Sequence, residues 1–334
     1  MVQRLVRKGF LVLAAALLAV TLAAGCSSQP APAGEQKGGE QQPAAEKKFV
    51  NIATGGTAGT YYPLGGAIAD ILNKNVPGAN ASAQSTGASV ANVNMLQDGS
   101  VEMAFIQNDI AYYAANGTEM FKDKKVEGLR GIATLYPETI QIVTLAKTGI
   151  KDVAGLQGKR VAVGAAGSGT EANARQILGA YGITYNDITV QYLSFAEAAN
   201  NLKDGNVDAA FVTAGFPTAA IQDIAAQHDV VLLPVPEDVA DKLIQQYPFY
   251  TKVTIPAGTY PKQDADVKAV AVRAMLAVTD KMDEQLAYDI TKAIYTNLDR
   301  LQSAHAVGKL ITKETAQDGM SVKLHPGAEK FFKE

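Results

Sequence analysis

One segment of this chain occurs twice. Asn94-Met-Leu-Gln-Asp-Gly-Ser-Val-Glu-Met-Ala-Phe-Ile106 returns as Asn200-Asn-Leu-Lys-Asp-Gly-Asn-Val-Asp-Ala-Ala-Phe-Val212, with Asn, Leu, Asp, Gly, Val, Ala and Phe at matching offsets. Each copy reads as the end of a helix, an Asp-Gly turn and a short buried strand, which is half of a βαβ unit. The match extends upstream. Gly55-Gly-Thr-Ala-Gly-Thr60 follows the apolar run from Phe49 to Ala53, and Ala165-Ala-Gly-Ser-Gly-Thr170 follows Arg160-Val-Ala-Val-Gly164. The offset is 110 residues at these turns and 106 at Asn94. Short solenoid repeats recur every ~20 to 50 residues and at least three times. The duplication is therefore of whole lobes, and the chain is expected to be α/β, with two similar lobes.

The amino terminus sets the compartment. Arg4, Arg7 and Lys8 precede an uncharged stretch from Gly9 to Ala24, the pattern of a signal peptide over residues 1–25. The uncharged run is shorter than the ~20 residues a helix needs to span hydrocarbon. Its end, Leu22-Ala-Ala-Gly-Cys26, resembles the bacterial lipobox, in which the cysteine is lipidated, although Ala23 stands where a large aliphatic is usual. Cys26 is also the only cysteine, so the exported part can hold no internal disulfide or thiolate metal site. Residues 26–48 form the lipidated cysteine and a tether, rich in Gln, Pro, Ala, Gly, Glu and Lys, that is expected to be disordered. As a flexible coil it reaches roughly 25 Å. Loss of the signal removes three of the 30 basic residues and none of the 33 acidic ones, leaving a net charge of −6. Nucleic acid is not expected as a partner.

From Phe49 the pattern alternates strand, Gly-rich turn and helix, with helices near Tyr62 to Asn73, Ala88 to Gln97 and Asp109 to Ala115. Ile132 to Tyr136 and Gln141 to Ala146 read as extended crossover segments, and Lys159 opens the second lobe. The segment Pro248 to Pro261 is expected to cross back. An extended run follows near Val267 to Val278, then a helix from Asp283 to about Arg300 with Leu286, Ile290, Ile294 and Leu298 at helical spacing. The expected division is lobe 1 over 49–135, lobe 2 over 136–250, and a return crossover with carboxy-terminal elements packing on lobe 1 over 251–334. Open α/β sheets bind ligands at the carboxyl ends of their strands, so both Gly-rich turns are expected to face a cleft between the lobes.

Glycines in these turns permit tight backbone geometry, and the following helix aims its free amides at the cleft, which suits an anion. Neither turn matches a P-loop or a dinucleotide fingerprint. Glycines serve any strand-to-helix turn, and it is the duplication that favours a site. The expected ligand-binding residues are Thr57, Gly59, Thr60, Tyr61, Ser85, Thr86, Gln107, Asp109, Tyr136, Ser168, Gly169, Thr170, Thr213 and Gly215. Asp109 pairs with a ligand ammonium or caps the next helix, with capping the favoured role. At least one of Tyr61, Tyr62 and Tyr136 is expected to be core. The histidines, His228, His305 and His325, show no metal-ligand spacing and no nucleophile beside them, so neither catalysis, a metal nor a cofactor is expected.

Five motifs resemble a known family: Ile52-Ala-Thr-Gly-Gly-Thr-Ala-Gly-Thr-Tyr-Tyr-Pro-Leu-Gly65, Ser85-Thr-Gly-Ala-Ser89, Phe105-Ile-Gln-Asn-Asp109, Gly167-Ser-Gly-Thr170 and Tyr288-Asp-Ile-Thr-Lys-Ala293. They resemble the TAXI solute-binding receptors of tripartite ATP-independent periplasmic (TRAP) transporters, over residues 49 to 332. That resemblance implies a type II periplasmic-binding-protein fold. It also implies capture of glutamate, glutamine or a small dicarboxylate and delivery to membrane TRAP subunits, small and large, at times fused. The receptor would stand outside the cytoplasmic membrane on lipidated Cys26. The carboxylate site is expected on backbone amides and hydroxyls of Thr57, Thr60, Ser168 and Thr170, rather than on Arg130, Arg160 or Arg175. The alternatives are the binding lipoprotein of an ATP-driven importer, or a sensory receptor.

Overall fold

A computed structural model describes residues 47–334. The signal peptide, Cys26 and nearly all of the tether lie outside the described residues.

The strands are β1 (Lys48–Ala53), β2 (Ala79–Gln84), β3 (Met103–Gln107), β4 (Leu129–Leu145), β5 (Arg160–Ala162), β6 (Thr189–Gln191), β7 (Ala209–Ala214), β8 (Val230–Leu233), β9 (Thr251–Ile255) and β10 (Val267–Thr279). The helices are α1 (Tyr61–Asn75), α2 (Ser89–Asp98), α3 (Asn108–Asn116), α4 (Gly169–Ala180), α5 (Phe195–Asp204), α6 (Ala219–Ala225), α7 (Glu237–Gln246), α8 (Glu284–Tyr295), α9 (Leu298–Ala304) and α10 (Pro326–Phe332). The sheet runs β2-β1-β3-β10-β4-β7-β5-β6. In one half β1 is parallel to β2 and β3, with β10 antiparallel beside β3. The other half repeats this, with β5 parallel to β6 and β7 and β4 antiparallel beside β7.

The repeated segment builds the same joint in both halves. Helix α2 ends at Asp98 and α5 at Asp204. The next residue in each, Gly99 and Gly205, has φ of +78° and +75° and returns its N–H to a carbonyl of the last turn. Glycine takes this left-handed cap without a Cβ penalty. Strands β3 and β7 follow, buried along their whole length, so they carry a continuous apolar run instead of an alternating one.

Three local expectations are corrected. The segments 132–136 and 141–146 are one strand of 17 residues, because Pro137 sits next to an irregularity in the β4–β10 ladder and does not end it. The strand that returns is β10, paired antiparallel to β4 over most of its length, whereas the stretch from Pro248 to Pro261 contains β9, an edge strand laid on β10. The helix beginning after Asp283 stops at Tyr295, since Asn297 leaves helical geometry (φ −133°, ψ 38°) before α9 begins.

Apolar side chains from β1, α1, β3 and β10 share one core with α8, α9 and α10, including Ile52, Leu64, Phe105, Leu276, Ile290 and Leu301. Phe105, fully buried, has its ring centroid 4.9 Å from that of Tyr61. Phe105→Ala is expected to lower unfolding free energy by about 3–5 kcal/mol, through lost burial and the cavity left behind. Urea denaturation with an unchanged slope checks it.

Candidate functional site

The two Gly-rich turns meet across a cavity of about 60 Å³. Tyr61, Ser89, Gly169 and Phe195, the first residues of α1, α2, α4 and α5, all line it. Each helix start brings the positive end of its dipole to the cavity, which favours a negative group although no lysine or arginine stands in its wall.

The walls are held by polar side chains that have become structural. Asn92, fully buried on α2, donates through Nδ2 to the carbonyls of Thr54 (2.6 Å) and Phe105 (2.7 Å), tying the carboxyl ends of β1 and β3 together. Thr86 Oγ1 donates to Asn92 Oδ1 (2.6 Å) and lies 2.9 Å from Thr54 O. Ser89 Oγ accepts from the Gln107 amide at 3.1 Å. On the other side Ser168 caps α4 by accepting from Glu171 N (3.2 Å), and Ser194 caps α5 in a capping box with Glu197.

Hydrogen bonds also link the turns of one half to those of the other. Val90 N and Ala91 N both donate to Gly167 O at 3.1 Å, and Thr60 Oγ1 donates to Gly215 O at 3.3 Å. Behind the cavity, Asn173 Nδ2 donates to Asp109 Oδ2 (3.0 Å) and Tyr250 Oη (3.1 Å), while Tyr250 donates to Gln176 Oε1 (2.6 Å) and Gln176 Nε2 to Tyr113 Oη (3.1 Å). The Gln107 side-chain amide fills the place where Gly169 has no Cβ. These bonds join the two halves into one compact unit.

Two carboxyls are buried here. Burial pushes Asp109 up to about 7 against the stabilising bonds from backbone amides and Asn173. Burial pushes Glu138 up to about 8, opposed by a 2.7 Å hydrogen bond from Tyr61 Oη and reinforced by the Asp109 charge. Gln107 Oε1, Asp109 Oδ1 and the Tyr136 hydroxyl are buried without a hydrogen-bond partner among the described residues.

Of the residues expected to bind ligand, Gly59, Thr60, Tyr61, Thr86, Gln107, Ser168, Gly169, Thr170 and Thr213 line this cavity. Five do not. Thr57 and Ser85 are exposed, Ser85 donating to Gly55 O at 3.0 Å. Tyr136 is fully buried in the core. Gly215 packs against Val307 and Tyr136, where a Cβ would not fit. Asp109 lies outside the cavity wall and does not cap α3, whose N-cap is Gln107 with no side-chain bond; its carboxylate accepts from Asn173 Nδ2. Thr57 is thus outside the hydroxyl cradle. The Thr60 and Ser168 hydroxyls already serve Gly215 O and Glu171 N. Arg130, Arg160 and Arg175 pair with Asp280, Asp208 and with Glu119 and Glu171, all away from the cavity. Sequence reasoning missed Glu138, Ser89, Ser194 and Phe195. The signals available were the single carboxylate in the segment Leu129–Leu145, and the capping box Ser194-Phe-Ala-Glu197.

A repeated β-order with an antiparallel crossing strand in each half, and a polar cavity at the strand ends between them, defines an α/β periplasmic-binding-protein fold of type II. The chain belongs to the NMT1-like family, whose model matches residues 52–334. This corrects the resemblance to TAXI receptors of TRAP transporters: the family that matches is the NMT1-like one, and the Gly-rich motifs behind the resemblance form the strand-to-helix turns of the fold itself. The chain is similar to PhnD1 from Prochlorococcus marinus in complex with methylphosphonate, at 9% identity and a TM-score of 0.53 over 78% of this chain and 90% of that one. It is also similar to a protein of Bordetella bronchiseptica RB50, at 17% identity and a TM-score of 0.51 over 86% and 89%. The alkanesulfonate-binding protein SsuA from Xanthomonas axonopodis, bound to MOPS, matches at 18% identity and a TM-score of 0.48 over 87% and 85%. Among the described residues no helix is long and apolar enough to cross a membrane, and no cluster of His, Cys, Asp or Glu is arranged to hold a metal ion.

Proposed function

We propose that this chain is an extracytoplasmic solute-binding protein that captures a small solute with an anionic group and presents it to an ATP-driven importer. It binds and releases its solute without turnover. The observation that carries this is the convergence of four helix starts, two from each half, on one polar cavity walled by both Gly-rich turns. PhnD1, which shares the fold, is in complex with methylphosphonate, a small anion. Lipidated Cys26 would hold the protein at the outer face of the cytoplasmic membrane, with the tether giving it reach to the permease. The bonds between the halves form only in the closed state, so a solute touching both halves shifts the balance toward closure by its differential affinity.

An ATP-driven importer is favoured over an ion-driven one because the matching family is the NMT1-like one and not that of the TAXI receptors of TRAP transporters. Calorimetry with small carboxylates, sulfonates and phosphonates identifies the solute. In host cells, uptake of that solute is expected to fall when this chain is deleted, to stop when ATP is depleted, and to persist when an ionophore collapses the ion gradients. Uptake that stops with the ionophore while ATP is maintained contradicts the importer class. Solute-dependent signalling without any effect on uptake would favour the sensory alternative.

A further inference from the structure

The cavity wall contains one carboxyl, Glu138, and no lysine, arginine or histidine. Glu138 lies on β4 opposite Val272 of β10, next to Thr139, which pairs with Ala214 at the end of β7. It is 2% exposed. Among the described residues its hydrogen-bond donor is the Tyr61 hydroxyl, on Oε2. The other titratable groups acting on it are Tyr136 and Asp109, so nothing around it is cationic. A buried carboxyl without a cation is costly, and the usual resolution is a protonated acid or a partner that brings the positive charge. The helix starts in the same cavity offer the opposite preference, for an anion.

We propose that the solute carries a protonated amine as well as an anionic group, with the ammonium seated against Glu138 and the anion against the helix starts. This rests on the reading of the chain as a solute receptor. A zwitterion satisfies both preferences at once, whereas a dianion would add charge beside a carboxyl with no cation in the wall. Alone in the cavity the carboxyl, raised to about 8 by burial, keeps its proton at pH 7, and an ammonium beside it releases that proton.

Matched pairs that differ only in the amine test this: glutamate against glutarate, taurine against ethanesulfonate, and 2-aminoethylphosphonate against ethylphosphonate, titrated into the full-length protein. Within at least one pair the amine-bearing member is expected to bind at least about 100-fold more tightly, as removing one partner of a buried ion pair implies. Its binding at pH 7 should release close to one proton, measured by calorimetry in two buffers of different ionisation enthalpy. Glu138→Gln should lose the preference and the proton release while keeping its melting temperature. If the amine-free members bind as well or better, the proposal is overturned and the receptor reading stands. If no member of any pair binds, both fall. Should Glu138→Gln fail to fold, the paired titrations and proton counts on the wild type decide alone.

Discussion

Gly169→Val is expected to weaken solute binding by about 10- to 100-fold while leaving the melting temperature within a few degrees of wild type. Gly169 is the first residue of α4, and the Gln107 side chain from the other half occupies the space its Cβ would need. Overpacking of this kind costs about 1–3 kcal/mol. On the proposed capture by closure the cost falls on the closed arrangement alone, because Gln107 and Gly169 sit on different halves, which an opening cleft would separate. A penalty confined to the binding-competent state lowers its population and raises the apparent dissociation constant in proportion. Calorimetry of the solute together with a thermal melt distinguishes this from simple destabilisation, which would lower both. A variant that melts normally and binds normally would show that the halves need not close to hold solute.

The second large effect is on stability against pH. Asp109 and Glu138 have folded pKa values near 7 and 8, well above those of an unfolded chain. The folded protein therefore holds protons that the unfolded chain has already released. Their stabilising contribution is full below the ordinary carboxyl pKa and is lost as pH rises through 7 and 8. His305 and His325, whose pKa values burial lowers, act in the opposite direction but below pH 6.5. The carboxylates with lowered pKa, such as Asp208 beside Arg160 and Glu237 beside Lys268, complete their contribution in the acid range. Between pH 6.5 and 8.5 the two raised carboxyls dominate, and unfolding free energy is expected to fall by about 2–3 kcal/mol. Urea unfolding at both pH values measures it. The combined Asp109→Asn and Glu138→Gln variant should be nearly flat over this window, with most of the change due to Glu138, whose folded pKa is the higher.

The fold was legible because its signals are local and repeated. Asp98-Gly99 and Asp204-Gly205 mark two helix ends whose geometry glycine alone takes readily, and the duplicated turns at Gly55 and Gly167 placed two helix starts at two strand ends. The return strand was harder to place. Residues 267–279 are apolar on both faces and long, and nothing in the sequence says that they run beside β4 while β9 stays at an edge. Within the site, hydroxyls and glycines beside the turns were readable because the turns themselves were. Glu138 was not, because it sits inside a strand that reads as buried, and only the approach of Tyr61 and the turns of both halves makes that position a cavity wall. Asp109 misled for the reason that a helix start predicts a cap. Its actual partner, Asn173, is 64 residues away on α4 and is brought near by tertiary packing.

The central claim is that solute is held between the two halves, in the cavity shared by Gln107, Glu138 and Gly169. Its most direct measurement is the calorimetric dissociation constant of the best-binding carboxylate, sulfonate or phosphonate, taken on wild type and on Gly169→Val under the same conditions. The account predicts tight, saturable binding of one solute per chain in the wild type and a loss of about 10- to 100-fold in the variant. Equal affinity in the two proteins, or no binding to a folded wild type, would contradict it.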